Sequence, residues 1–176
     1  MPASRGRRSI RLSGYDYTQP GAYFVTICTF QRQCLFGDIT ADTMRSSALG
    51  EVVADAWRAI PGHDPHVDLD SFIVMPNHVH GILRIREYVG AKHASPLHLG
   101  PRGTSRGSLS AIVQAFKSAV SREAHRQGFV SERPLWQRGF HDRVIRDEAE
   151  LERIRSYIEE NPLRWALDEE NPDRRA

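Results

Sequence analysis

The sequence has few cysteines, no long hydrophobic run and almost no lysine. Its longest apolar runs, such as Ala22 to Val25, have four residues, whereas a membrane span needs about 20. No apolar segment follows the basic N-terminus, as it would in a secretory signal. The two cysteines, Cys28 and Cys34, form no metal-binding pattern and are typical of a reducing compartment. We therefore expect a soluble, cytoplasmic protein that does not bind membranes.

The basic residues are almost all arginine. Lys92 and Lys117 are the only lysines among 24 basic residues, and the net charge is +2. Arginine binds phosphate through two parallel N–H donors and stacks on bases, which favours a nucleic-acid partner. A GC-rich genome, which encodes arginine often, explains the same bias equally well. With 176 residues, 40% of them apolar, the chain is long enough for one globular domain without disulfides or structural zinc.

The middle of the chain predicts a β-hairpin. Residues 69–74 form a short stretch with β-branched side chains, which is typical of a strand. Pro76 and Asn77 are turn residues, and residues 82–86 are again strand-like.

Two histidines lie at the start of the second strand of this hairpin. Side chains two apart on a strand point to the same side, roughly 6.6 Å apart. His78 and His80 therefore form a pair of imidazoles, with Val79 turned into the packed face, and such a pair is half of a metal site. With 8 histidines in 176 residues, chance gives a His-x-His roughly 0.36 times per chain. The alternative is two polar residues on the solvent side of a strand.

The other apolar patterns predict an α+β fold. In order, we expect a strand at 22–30, a helix at 47–60, the hairpin at 67–86, a flexible loop at 87–107, a helix that Ser108 caps and Gly128 ends, short strands at 135–137 and 140–145, and a helix at 147–161. This is the ferredoxin-like βαββαβ order, with an antiparallel sheet, helices grouped against one face and an additional C-terminal helix. A basic arm at 1–14 and a polar tail at 166–176 flank the domain at 15–165.

The last helix carries two polar residues beside its apolar stripe. Leu151, Ile154 and Ile158 recur at helical spacing, Tyr157 borders them, and Asn161 follows Tyr157 by one turn on the same face. A tyrosine in this position is usually a packing residue. An asparagine before a proline usually ends a helix.

Two motifs give the chain a resemblance to a known family. The segments 75–82 (MPNHVHGI) and 157–165 (YIEENPLRW) resemble the single-tyrosine transposases of the HUH superfamily, and most of all the REP-associated tyrosine transposases of bacteria. The likeness also takes in residues 15–36 and 136–146. It covers most of the chain, and fails at the N-terminal arm, the 87–107 loop and the C-terminal tail.

This resemblance implies a reaction and the residues that perform it. His78 and His80 match the histidines that bind one divalent metal ion, Mg²⁺ or Mn²⁺. Tyr157 matches the nucleophile that attacks a DNA phosphodiester, becomes linked to the 5′-phosphate and frees a 3′-OH. Asn161 falls where related enzymes place a third metal ligand, often glutamine, which is one methylene longer.

The resemblance also implies a DNA partner. The family recognises single-stranded DNA hairpins formed by repetitive extragenic palindromes (REPs). The candidates for binding its backbone are Lys117, Arg138, Arg143 and the N-terminal Arg5, Arg7, Arg8 and Arg11, each of which can also be a solvated surface residue. Related insertion-sequence enzymes are dimers with shared sites, whereas the REP-associated branch is implied to be monomeric, so a monomer and a homodimer are both expected states.

Two other functions fit parts of the sequence. A domesticated relative would bind nucleic acid through the same sheet without cutting it. A metallohydrolase would use the two histidines on a small phosphoester, but the sequence places no clear carboxylate or third histidine near them, which disfavours this function.

Overall fold

A computed structural model describes residues 16–87, 107–130 and 134–173. The arginines of the N-terminal arm (Arg5, Arg7, Arg8 and Arg11) and most of the 87–107 loop lie outside these ranges. No helix in the described part of the chain is both long enough and apolar enough to cross a membrane.

The described part of the chain contains six strands and four α-helices. They are β1 (Gly21–Cys28), β2 (Gly37–Thr40), β3 (Thr43–Ser46), α1 (Ala48–Arg58), α2 (Ile60–His63), β4 (Val67–Met75), β5 (His78–Ile85), α3 (Leu109–Arg126), β6 (His141–Ile145) and α4 (Glu148–Glu160). Short 3₁₀ helices occupy Phe30–Arg32 and Pro162–Leu167.

Four of the strands form one antiparallel sheet. Its order is β4-β5-β1-β6, and α1 and α3 form the two crossover connections. This is the ferredoxin-like arrangement that the order of elements predicts. β4 and β5 are joined by the two-residue turn Pro76-Asn77, as expected for the hairpin.

Side-chain caps begin the three long helices at the predicted places. Ser47, Ser108 and Asp147 each accept a hydrogen bond from a backbone N–H three residues later, which satisfies one of the free N–H groups of the first turn. At its other end, α4 stops at Glu160. Asn161 still has helical φ and ψ angles, but Pro162 has no N–H to continue the α-helical hydrogen bonds, and it begins the 3₁₀ helix that follows.

Two local predictions differ from the structure. Residues 37–46 form an additional hairpin, β2–β3, whose turn residues Ala41 and Asp42 have positive φ angles of 48° and 58°. The expected strand at 135–137 is a single bridge between Thr29 and Trp136. The Trp136 side chain is instead held by α3, since its indole N–H donates to the carbonyl of Lys117.

The prediction that all helices group against one face of the sheet is wrong. α1 and α3 cover one face, where the main apolar core includes Trp57, Val79 and Leu83. α4 covers the other face, where Ile82 packs with Ile154 and Ile158. The two faces alternate along β5 because successive side chains of a strand point in opposite directions.

One glycine sets the distance between β5 and α1. A Cβ atom at Gly81 would lie 2.3 Å from Cζ2 of Trp57, and Trp57 is fully buried. The absence of a side chain at Gly81 therefore allows the indole to pack directly on the strand, one residue after His80.

Candidate active site

The two histidines lie where β5 leaves the hairpin turn. His78 and His80 pair with Cys28 and Thr26 of the neighbouring strand β1, and their ring centroids are 4.3 Å apart. As predicted, they share the face opposite Val79. They are also buried, with relative exposures of 0% and 3%. Two adjacent imidazoles without access to solvent do not fit the alternative of polar residues on a solvated strand.

Asn77 fixes the tautomer of His78. Its side-chain NH₂ donates to the carbonyls of Arg32 (3.0 Å) and Glu170 (2.7 Å), so its Oδ1 must be the atom that lies 2.8 Å from His78 Nδ1. Since Oδ1 can only accept, Nδ1 of His78 carries the proton. Nε2 of His78 is therefore a buried lone pair, and it has no hydrogen-bond partner within the described residues. This is the form of histidine that binds a metal ion.

His80 is held from three sides. The Thr26 hydroxyl lies 2.9 Å from its Nδ1, the ring of Phe24 stacks on it at a centroid distance of 5.3 Å, and Tyr157 lies against its edge at the same distance. These contacts restrict the orientation of the ring. They also leave Nε2 directed toward the tyrosine of α4.

Both imidazoles are neutral at neutral pH. Burial lowers the pKa of His78 to about 3, and the nearby positive charge of Arg32 acts in the same direction. Burial, followed by the adjacent His78, holds the pKa of His80 well below its ordinary value, against a smaller opposing effect of Asp168. Neutral imidazole is the ligand form, so neither histidine has to lose a proton to bind a metal ion.

Tyr157 brings a hydroxyl to this pair from α4. Its Oη lies 3.4 Å from His80 Nε2, and the side chain is partly open to solvent, with a relative exposure of 38%. Burial of the ring, and then the charge of Asp168, raise the pKa of Tyr157, whereas the Asn161 amide lowers it. The hydroxyl is therefore a protonated phenol at neutral pH, placed where both the histidines and an incoming molecule can reach it.

Asp168 is a site residue that sequence reasoning missed. Ligand atoms of His78, His80 and Asp168 all lie within 4.8 Å of one another. Asp168 ends the 3₁₀ helix Pro162–Leu167 and belongs to the segment expected to be a polar tail. The expectation that no carboxylate lies near the histidines is therefore wrong. The acidic run 168–170 was its only sequence signal, and such runs are usually solvated.

The segment that carries Asp168 is anchored to the histidine end of the sheet. Arg32 forms an ion pair of 2.8 Å with the Glu170 carboxylate and donates to the Glu169 carbonyl. The indole of Trp165 lies 6.1 Å from the ring of His78. Together with the hydrogen bond from Asn77 to Glu170, these contacts hold Asp168 in place beside the imidazoles.

Asn161 lies at the end of α4, one turn after Tyr157. Its side chain is almost fully buried, with a relative exposure of 1%. The amide lies near enough to Tyr157 to lower the pKa of that hydroxyl, but within the described residues neither of its polar atoms has a partner that meets the distance and angle of a hydrogen bond. Leaving two buried polar atoms without a partner is costly, which is consistent with a bound cation or water. Its role as a metal ligand stays a prediction.

The DNA-contact candidates are divided between two surfaces. Lys117 and Arg138 line a groove of about 800 Å³ between α3 and residues 134–140. Arg143 lies on β6, beside a cavity of about 340 Å³ that reaches Tyr157 and His80. Nζ of Lys117 donates to the carbonyls of Gln137 and Gly139, and burial lowers the pKa of Lys117 to about 8. The structure thus gives Lys117 a structural role, and contact with DNA stays a prediction for all of these residues.

Comparison with known proteins supports the same fold. No family model matches the chain. An uncharacterized protein of Haemophilus influenzae is 40% identical over 168 residues, which cover 93% of this chain and 92% of that protein. A solved structure of a REP-associated tyrosine transposase bound to a REP hairpin superposes with a TM-score of 0.59 and 17% identity, covering 88% of this chain and 74% of the other. The chain therefore belongs to one family with the Haemophilus influenzae protein and has the fold of a REP-associated tyrosine transposase.

Proposed function

We propose that the protein is a transposase that cleaves and rejoins single-stranded DNA through a covalent bond to Tyr157. The observation that carries this proposal is the position of the Tyr157 hydroxyl, 3.4 Å from His80 Nε2 and beside the His78-His80-Asp168 group. A nucleophile beside neutral imidazoles and a carboxylate is the arrangement that metal-assisted phosphoryl transfer requires. The likeness in fold to a REP-associated tyrosine transposase supports the same reaction.

The side chains at the site fit one divalent metal ion. His78 and His80 offer two neutral nitrogens, Asp168 offers an oxygen, and Asn161 is a candidate for a further oxygen. Two imidazoles with one carboxylate suit Mn²⁺ better than Mg²⁺, which prefers oxygen ligands. When bound, the ion supplies positive charge to the phosphate oxygens and orients the phosphodiester for in-line attack.

Tyr157 performs the covalent step in this proposal. Its Oη forms a bond to phosphorus while the bond from phosphorus to the 3′ oxygen breaks. The phenolic proton passes to water, and water protonates the departing 3′ oxygen. The raised pKa of Tyr157 means that the phenol does not ionise by itself near neutral pH, so the site has to lower the charge of the phosphate for attack to occur.

The 5′-phosphotyrosine ester makes the reaction reversible without ATP. A 3′-OH that returns to the phosphorus atom releases Oη of Tyr157 and restores a phosphodiester. Tyr157 is partly open to solvent, whereas His78 and His80 lie beneath it. A DNA strand can therefore approach the hydroxyl from the surface while the histidines stay shielded from water.

The groove beside α3 fits the sugar-phosphate backbone of a DNA hairpin. Its lining includes Lys117, Arg122 and Arg138 together with several serine hydroxyls, and no carboxylate occurs among its described lining residues. Such a surface attracts phosphate groups, and no acidic side chain among its described lining residues repels them. We include this groove and the predicted N-terminal arginines in the DNA-binding surface.

An adduct assay tests the proposed function. We expect wild-type protein, incubated with Mn²⁺ and labelled single-stranded DNA hairpins, to form an SDS-stable protein–DNA adduct. Tyr157→Phe should form none, whereas Tyr17→Phe, which alters a partly buried tyrosine against the main core, should match the wild type. An adduct of equal yield in Tyr157→Phe would refute the mechanism. Salt-dependent DNA binding without any adduct would instead indicate the non-cleaving binding module.

A further inference from the structure

Two cavities meet at the tyrosine of α4. One, of about 340 Å³, lies between α4 and the sheet and reaches Phe24, Thr26 and His80. The other, of about 330 Å³, runs along the outer side of α4. Only two of their described lining residues, Arg153 and Tyr157, belong to both cavities. A molecule that occupies either cavity next to Tyr157 therefore also lies beside Arg153.

Among the charged side chains that line the two cavities, Arg153 alone has no ion-pair partner within the described residues. Three carboxylates line the two cavities, and each has an arginine partner: Glu150 pairs with Arg143, Glu152 with Arg155, and Glu160 with Arg164. Arg153 itself has no carboxylate partner in the part of the chain that the structure describes, and it is exposed. A guanidinium without an acidic partner leaves its donors available to an anion.

The helix places this guanidinium on the same side as the tyrosine. Arg153 and Tyr157 are four residues apart on α4, so their Cβ atoms are about 5–6 Å apart on one face of the helix. The imidazole of His80 contacts the tyrosine ring in the direction of the sheet. Tyr157 thus has a neutral imidazole on the side of the sheet and, one helical turn away on α4, an arginine that lines the same two cavities.

We propose that Arg153 is a catalytic residue that binds the phosphate attacked by Tyr157. This inference rests on the proposed function. The two parallel N–H donors of a guanidinium match two non-bridging phosphate oxygens, on which negative charge is greatest while the phosphorus–oxygen bonds exchange. Donors that are already in position stabilise that charge without further rearrangement of the site.

The ion pair between Glu150 and Arg143 keeps the cavity suitable for this role. Glu150 is buried, and it accepts hydrogen bonds from the backbone N–H of Arg146 and from the Arg143 guanidinium. Arg143 thus supplies the opposite charge and the backbone N–H a further donor, so the Glu150 carboxylate is already paired without Arg153. The N–H donors of Arg153 therefore stay available to a phosphate.

Single-turnover adduct formation with saturating DNA and Mn²⁺ tests this proposal. We expect Arg153→Gln to slow the reaction by roughly a hundredfold, the lower end of the usual effect of removing one preorganised donor. Arg153→Lys, which keeps the charge but not the fork, should recover part of the rate. Affinity for the hairpin should change little, because many phosphates share the binding energy. Arg58→Gln, which alters an exposed arginine of α1, is the matched control.

DNA with an uncharged methylphosphonate at the cleaved position gives a second readout. If Arg153 acts on the charge of that phosphate, Arg153→Gln should lose most of its effect on this DNA. A loss of the same size on both DNAs would show that Arg153 acts elsewhere. A rate equal to that of Arg58→Gln would overturn the proposal while leaving the role of Tyr157 intact. Absence of an adduct in the wild type would instead refute the proposed function itself, and this inference with it.

Discussion

The two faces of the central sheet have different roles, although the same strands form both. Toward α1 and α3, the described residues form a buried apolar cluster of 22 side chains, which includes Trp57, the largest fully buried side chain. Toward α4, the corresponding cluster has four: Ile82, Leu151, Ile154 and Ile158. Burial of apolar area is the main source of stability. The first face therefore stabilises the domain, whereas the second leaves space for polar chemistry.

The comparison shows why the tyrosine helix depends on polar contacts for its position. Arg155 of α4 donates two hydrogen bonds of 2.8 Å to the Asp70 carboxylate on β4. Asp70 also accepts from Arg84 at 2.9 Å, and it lies within an irregularity of the β4–β5 register. With few apolar contacts to α4, these charge-assisted bonds contribute a larger share of its attachment than they would on the other face.

Trp57→Ala should have the largest effect, because it removes the largest buried side chain of the stabilising face. We expect a loss of about 3–5 kcal/mol in the free energy of unfolding, measured by urea denaturation. Tyr157→Phe, on the other face, should change it by less than about 0.5 kcal/mol while abolishing adduct formation. Equal losses of stability in the two variants would remove the distinction between the faces.

The hydrogen bonds behind the histidines should control metal affinity. Asn77→Ala leaves His78 without the acceptor that fixes its tautomer, and we expect Mn²⁺ affinity to fall by roughly tenfold to hundredfold. Isothermal titration calorimetry measures the affinity, and Tyr157→Phe should retain it. Unchanged Mn²⁺ binding in a folded Asn77→Ala variant would show that His78 needs no partner at Nδ1.

Local patterns in the sequence are sufficient for most of the fold. The two-residue turn at Pro76-Asn77 and the helix caps at Ser47, Ser108 and Asp147 depend only on residues within a few positions of one another. The alternation of His78, Val79 and His80 predicted their faces correctly for the same reason. The spacing of Tyr157 and Asn161 on one helix face is likewise local.

The remaining features depend on contacts between distant residues. Asp168 reaches the histidines because Arg32 and Asn77 bind the segment that carries it. The periodic pattern of apolar residues in the sequence does not indicate those contacts. The side of the sheet that α4 covers is set by Ile82 and by Asp70, the latter 85 residues before its partner Arg155. An amphipathic pattern shows which face of a helix is buried, but it does not show against which surface.

Asp70→Asn should loosen α4 without unfolding the core. The amide keeps the shape of the side chain and loses its charge, so we expect a loss of about 1 kcal/mol in the attachment of the helix. Amide hydrogen exchange should become faster along α4 and stay unchanged in α3. Asp68→Asn is the control, because Asp68 lies on the same strand and forms an exposed pair with Arg86. Equal acceleration in α3 and α4 would mean that the two faces open together.

The smallest difference between the two faces should come from acidification, through the carboxylate of Asp70. Hydrogen bonds from Arg155, and further ones from Ser71 and Arg84, hold the pKa of Asp70 below its ordinary value of 3.8. A lowered pKa means that the stabilisation is complete above about pH 4 and is lost as the pH falls further. Acid already lowers the stability of the whole domain below about pH 6.5, because the unfolded chain binds protons at His78 and His80 before the folded chain does. Below about pH 4, Asp70 should add a further increase in hydrogen exchange that is larger in α4 than in α3, after correction for the intrinsic rate. In Asp70→Asn this change should be smaller, because one titrating group is gone. An equal further increase in α1, α3 and α4 below about pH 4 would show that the Asp70 carboxylate does not act on the attachment of α4 in particular.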